Sequence, residues 1–183
     1  MDEILVNTSI VGDQQGSTIA GFRGTQFVVV WEDNGDGTIK GQMFGASGNK
    51  SSSEFVVNLP GEPNTSRKLP AIVECGLGFA VAWTEKPRGG VAHVKLRTFD
   101  QDTLSGPEIQ VSTAEVEPLT RPAMARLADG ASSSFGRTSG RTSASARNAS
   151  EPRARRTAPS FAPIPSQGCT GNRWWPAWST AIS

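Results

Sequence analysis

Phe27-Val28-Val29-Val30-Trp31 returns 52 residues later as Phe79-Ala80-Val81-Ala82-Trp83, a short apolar strand closed by the same aromatic. Working outward from this pair, the flanking residues repeat as well. Glu3-Ile4-Leu5-Val6-Asn7-Thr8 opens a pattern that recurs as Glu54-Phe55-Val56-Val57-Asn58 and again as Glu108-Ile109-Gln110-Val111-Ser112-Thr113. A polar linker follows each time, at Gly12 to Ser17, Gly61 to Lys68 and Glu115 to Thr120. Then comes a small apolar run: Ile19-Ala20-Gly21-Phe22, Pro70-Ala71-Ile72-Val73 and Pro122-Ala123-Met124-Ala125. Repetition on this scale decides the architecture before any local reading does.

Each unit also carries a second hairpin. Thr38 to Phe44 alternates, with Ile39, Gly41 and Met43 on one face; Gly45 to Ser53 turns, and Glu54 to Asn58 returns. In the second copy Val91 to Phe99 takes the first part, with Val94 and Leu96 two apart, and Asp100 to Pro107 turns. Period-two alternation bounded by Gly, Pro, Asn, Asp and Ser specifies strands, and no sustained 3.6-residue apolar stripe specifies a helix. The expected fold is all-β: an incomplete β-propeller-like array of four-stranded units, with a β-sandwich as the alternative. The Trp fills the gap between stacked sheets, and its indole N–H is expected to reach a backbone carbonyl.

Charge marks a break after Gly130. Residues 1–130 hold 11 bases against 16 acids, a net of −5, whereas residues 131–183 hold seven arginines against Glu151 alone, a net of +6. The expected organisation is therefore 1–130, two repeat units plus the start of a third, followed by 131–183, a disordered basic tail too poor in apolar surface to offset ordering entropy. The genetic code offers a reason. Ala131-Ser132-Ser133-Ser134-Phe135-Gly136, with TCN serine codons and the frame moved two nucleotides on, reads NTC, NTC, NTC, NTT, YGG. Four of these codons encode only Phe, Leu, Ile or Val, and the fifth encodes Trp or Arg at position 135, again 52 after Trp83. Further on, Arg173-Trp174-Trp175-Pro176-Ala177-Trp178 shifts to a small apolar run with Ala at position 175, 40 after the hidden Trp; Trp31 to Ala71 and Trp83 to Ala123 are also 40. The tail reads as a third unit translated out of frame.

Two full units leave sheet faces and edges uncovered, so weak stability or self-association is expected. Met1 precedes the closing strand of a unit almost directly, as if translation began inside a longer reading frame. Asp2 and Glu3 stand where a secretory signal would be basic, and no apolar segment is long enough to span a bilayer. Alone, the chain is expected to stay cytoplasmic. Cys75 and Cys169 are too few and too distant to define a disulfide scaffold, and Cys75 is expected near a strand–turn junction, buried or half-buried.

Phe27 to Asp33, Gln42-Met43-Phe44, Gly48-Asn49, Glu54 to Asn58 and Gly12-Asp13-Gln14 resemble tandem repeats of about 50 residues in large bacterial secreted or surface proteins, associated with haemolysin-type calcium-binding regions and adhesins. The resemblance spans roughly residues 3–130. It implies an extracellular, non-enzymatic repeat without a defined ligand, although the nonapeptide glycine-aspartate repeats that bind calcium in such proteins are missing.

Candidate chemistry is sparse. Glu32, Asn34, Asp36 and Gly37 have the spacing of the first half of an acidic calcium loop, but Lys40 and Met43 replace the later ligands. A hairpin turn with Asn-Gly and Asp-Gly accounts for the same residues without metal. His93 is the sole histidine and has no zinc or nucleophile pattern around it. No catalytic residues and no cofactor are expected. The partners anticipated are other repeat units of a longer parent, a second copy, or a protein or glycan met by the inter-strand loops. The rival function is salt-dependent binding of a nucleic acid or acidic surface by Arg153, Arg155 and Arg156.

Overall fold

Among the described residues the chain forms ten strands, some alternating apolar with polar residues and others, such as β2 and β6, continuous apolar runs: β1 (Gln14–Phe22), β2 (Gln26–Asp33), β3 (Thr38–Phe44), β4 (Phe55–Val56), β5 (Ser66–Cys75), β6 (Gly78–Lys86), β7 (His93–Phe99), β8 (Ile109–Gln110), β9 (Ala123–Arg126) and β10 (Ser132–Phe135). The structure, a computed structural model, describes residues 3–100, 105–112, 115–116, 121–126 and the backbone of 132–135. Among these there is no helix, and hence none long and apolar enough to cross a membrane, which says nothing of a β-barrel. The all-β class holds.

The chain forms two four-stranded antiparallel meanders, β1-β2-β3-β4 and β5-β6-β7-β8, and a hairpin of β9 with β10. Their registers coincide. Trp31 lies opposite Lys40 and Trp83 opposite Lys95; Phe27 lies opposite Phe44 and Phe79 opposite Phe99. Each first strand has a bulge at the same place, between Gln15 and Thr18 and between Lys68 and Ala71. The bulge lets β1 and β5 extend into the segments expected to be linkers. Gln14 and Gln15 thereby pair with Asp33 and Glu32, and Ser66 to Lys68 with Lys86 to Thr84.

The two sheets pack face to face. Phe22, Val28, Val30, Ile39, Met43 and Val57 of the first meet Phe79, Val81, Trp83 and Phe99 of the second in one buried cluster. Phe79 and Phe99 stack at 5.1 Å, and Phe22 and Phe55 tilt against them. Gly41 makes room for this, since a Cβ there would stand 2.6 Å from the Phe55 ring. The opposite face of the second sheet buries Ala82, Val94 and Leu96 under Val116 and Met124. The second sheet is therefore covered on both faces.

The expectation for the tryptophans needs correction. Trp83 fills the gap between the two sheets, but Trp31 is buried on the outer face of the first sheet beside Val6, and among the described residues neither indole N–H finds a hydrogen-bond partner. The rings are held by apolar contact instead. Beyond the second sheet, Ser132 to Phe135 pair with Arg126 to Ala123 in the β9–β10 hairpin. The remaining tail residues, Arg153, Arg155, Arg156, Cys169 and Arg173 to Trp178 among them, lie outside the described residues.

Candidate functional site

Opposite Trp31 of β2 and Trp83 of β6, the third strand of each sheet presents a lysine between acids. Lys40 Nζ stands 2.7 Å from Asp33 Oδ2, 2.8 Å from Asp36 Oδ2 and 3.5 Å from Glu54 Oε1. Lys95 repeats the theme, 3.8 Å from Glu85 and 4.0 Å from Glu108. The equivalence follows from register: Asp33 and Glu85 both lie two residues after the Trp, and Glu54 and Glu108 both precede the fourth strand.

Burial alone would push the Asp33 carboxyl up, but Lys40 and the N–H groups of Asp36 and Gly35 outweigh it and hold the carboxyl below its ordinary value. Burial opposes charge on Lys40 too, and the carboxylates of Asp33 and Asp36 overcome it, raising the ammonium above the usual range. Glu54 is lowered, against desolvation, by the N–H and hydroxyl of Thr8 and by Lys40. In the second unit burial lowers Arg97, with Glu108 opposing.

The glutamates also clasp one unit to the next. Glu54 Oε2 accepts from Thr8 N–H at 2.9 Å and from its hydroxyl at 2.7 Å, and Glu108 accepts from Leu59 N–H. Thr8 and Leu59 each follow the Asn that ends a Glu-to-Asn segment, so the two clasps are one contact repeated. A neighbouring pair recurs as well. Asn58 Oδ1 takes Ile39 N–H at 2.8 Å and Ser112 Oγ takes Val94 N–H at 3.0 Å, each satisfying the third strand where the fourth stops pairing. Arg97 adds a tie across units, donating to Val57 O at 2.8 Å.

The three calcium candidates do not form an oxygen cage. Glu32 is 2 % exposed; it accepts Leu69 N–H at 2.7 Å and meets Lys68 Nζ at 3.3 Å. Asn34 Oδ1 accepts from the same Lys68 at 2.8 Å, and Asp36 belongs to Lys40. Asp33, not counted among the candidates, organises the turn by accepting the N–H groups of Gly35 and Asp36. Among the described residues no three His, Cys, Asp or Glu side chains are grouped to hold a metal. His93 Nδ1 lies 3.4 Å from Gln110 Nε2 and 3.5 Å from Ser112 Oγ.

Two concavities accompany these contacts. One of about 490 Å³ lies between the β2–β3 turn and the 59–65 linker, with Asp36, Asn58, Glu62, Asn64 and Arg67 among its walls. The other, of about 220 Å³, lies over the outer face of the first sheet, between Val6, Asn7, Gln14, Ser17, Val29 and Trp31. The lysine–acid cluster was missed in the sequence because Lys40 and Lys95 are 55 apart while the tryptophans are 52 apart. Counting outward from the hairpin turn instead of along the chain would have aligned them.

No protein-family model, no curated protein and no solved structure matches this chain.

Proposed function

We propose that the chain is a non-enzymatic structural or adhesive repeat fragment: two blades and the beginning of a third from a propeller-like array. One observation carries this reading. The polar residues that recur from unit to unit are engaged in joining strands and units, as in the paired contacts Thr8–Glu54 and Leu59–Glu108. Coverage of the second sheet on both faces favours serial stacking over a two-layer sandwich. The resemblance to secreted bacterial repeats puts the intact parent outside the cell, where its inter-strand loops would meet a protein or glycan; the cleft beside Asn64 and Arg67 is the concavity they form.

On this reading residues 131–183 are the third unit read out of frame, and the pairing of β10 with β9 supports a hairpin at the start of that unit. Restoring the frame at residue 131 tests it. The restored chain should melt at a higher temperature than the present one, because the Ala82–Leu96 face gains a full sheet. A restored chain no more stable, or less β-rich by circular dichroism, would count against the proposal.

A further inference from the structure

Glu32 stands apart from the Lys40 cluster, yet its side chain is only 2 % exposed. Its Oε1 accepts Leu69 N–H at 2.7 Å, and its Oε2 lies 3.3 Å from both Lys68 Nζ and Gln15 Nε2. Gly16, at φ +64°, leaves the space for it, since a Cβ there would stand 2.6 Å from Oε1. The repeat itself does not require this acid. Thr84 holds the same register position, opposite Val94 as Glu32 is opposite Ile39, and Lys86 stands where the first unit has Asn34. A buried carboxylate particular to one unit points to chemistry and not to strand pairing alone.

Lys68 supplies the second group and Asn34 the third. Lys68 Nζ reaches from β5 to the β2–β3 turn and donates to Asn34 Oδ1 at 2.8 Å, one bond away from the amide carbon. The turn is fixed in place: Asn34 N–H donates to Asp13 O at 2.9 Å, and Asp33 Oδ1 accepts the N–H groups of Gly35 and Asp36. Gly35 nitrogen, the competing nucleophile for an Asn-Gly amide, thus has its N–H committed to Asp33. Asn34 is exposed, so a group leaving its side chain passes directly into water.

We infer that Lys68 and Asn34 join in an isopeptide bond, formed once per chain with Glu32 as the proton carrier. Glu32 Oε2 takes a proton from the Lys68 ammonium, and the freed nitrogen lone pair attacks Asn34 Cγ. The Nζ–Cγ bond forms and the Cγ–Nδ2 bond breaks, while Glu32 hands protons from Nζ to the departing Nδ2. An ammonium side chain and a primary amide become a secondary amide and one ammonium ion, with no oxidant or reductant. The bond would tie the β2–β3 turn of the first sheet covalently to β5 of the second, whatever the larger array is.

The intact mass of the full chain after incubation at neutral pH tests this. The expected mass is lower than that of the sequence by one ammonia, about 17 Da, and a tryptic digest should contain a peptide pair linked through residues 34 and 68. Lys68→Arg, whose guanidinium is no nucleophile, and Asn34→Ala should each hold the full mass while keeping the wild-type circular dichroism. Glu32→Gln should hold the full mass as well; should it fail to fold, the other two variants still decide. Full mass in the wild type, loss of ammonia persisting in Lys68→Arg, a gain of about 1 Da from deamidation of Asn34, or a folded Glu32→Gln that cross-links as fast as wild type would each overturn the inference.

Discussion

Lys40 and Lys95 occupy one position of the repeat: each lies directly across from the buried tryptophan of the preceding strand and between the acid two residues beyond it and the glutamate before the fourth strand. The first pairing is tight and enclosed, the second longer and wetter. Lys40 and Asp33 expose 11 % and 2 % of their side chains, against 24 % and 14 % for Lys95 and its acids.

Lys40→Met should therefore cost about 3 kcal/mol, because it strands a buried Asp33 carboxylate without a counter-charge. Lys95→Met should cost about 1 kcal/mol or less, as partly solvated ion pairs do. Urea unfolding of the two variants checks the order; equal losses would contradict it.

Acid should unfold the chain through the same cluster. Asp33 and Glu54 are depressed below their ordinary values of 3.8 and 4.5. Their stabilisation is thus full above those values and lost as pH falls through the lower, folded ones. Lys40 has the opposite sign: its contribution is full below 10.5 and lost only as pH rises through its raised value. Melting temperature should drop below about pH 4, and Lys40→Met should flatten that drop.

Gly41→Ala should destabilise by about 1–3 kcal/mol, since the new Cβ would press on the Phe55 ring in the inter-sheet core. Gly24→Ala, at φ +76° with nothing within 4 Å of the added carbon, should show only the backbone penalty of about 1 kcal/mol. Denaturation curves for the pair separate steric from conformational cost.

Calcium should leave the chain unmoved. Glu32, Asn34 and Asp36 direct oxygens at Lys68 and Lys40, so a cation would have to displace two ammonium groups. Titration calorimetry should show no saturable heat, and the melting temperature should not rise with added calcium; a saturable isotherm would contradict this.

The repeat was legible because burial enforces it. Phe27 to Trp31 and Phe79 to Trp83 are each buried or half-buried on both faces of their sheet, so their apolar pattern survives changes of individual residues. The second hairpin was legible for the same reason, with β3 running over Thr38–Phe44 as alternation specifies. The bulges were not, because Gly16 at φ +64° and Leu69 at φ +57° share no residue type that marks them. The ion cluster was hidden because loops of different length separate its members. The unpartnered Trp N–H groups were missed because burial of a ring says nothing of which carbonyls strand pairing leaves over.

The most direct test of a damaged repeat array is the nucleotide sequence encoding residues 131–178. The account predicts TCN codons for Ser132, Ser133 and Ser134, and a shifted frame giving four apolar residues and then TGG at position 135, with the Ala of the next run at 175. Serine codons of the AGY type, or a stop codon early in that frame, would contradict it.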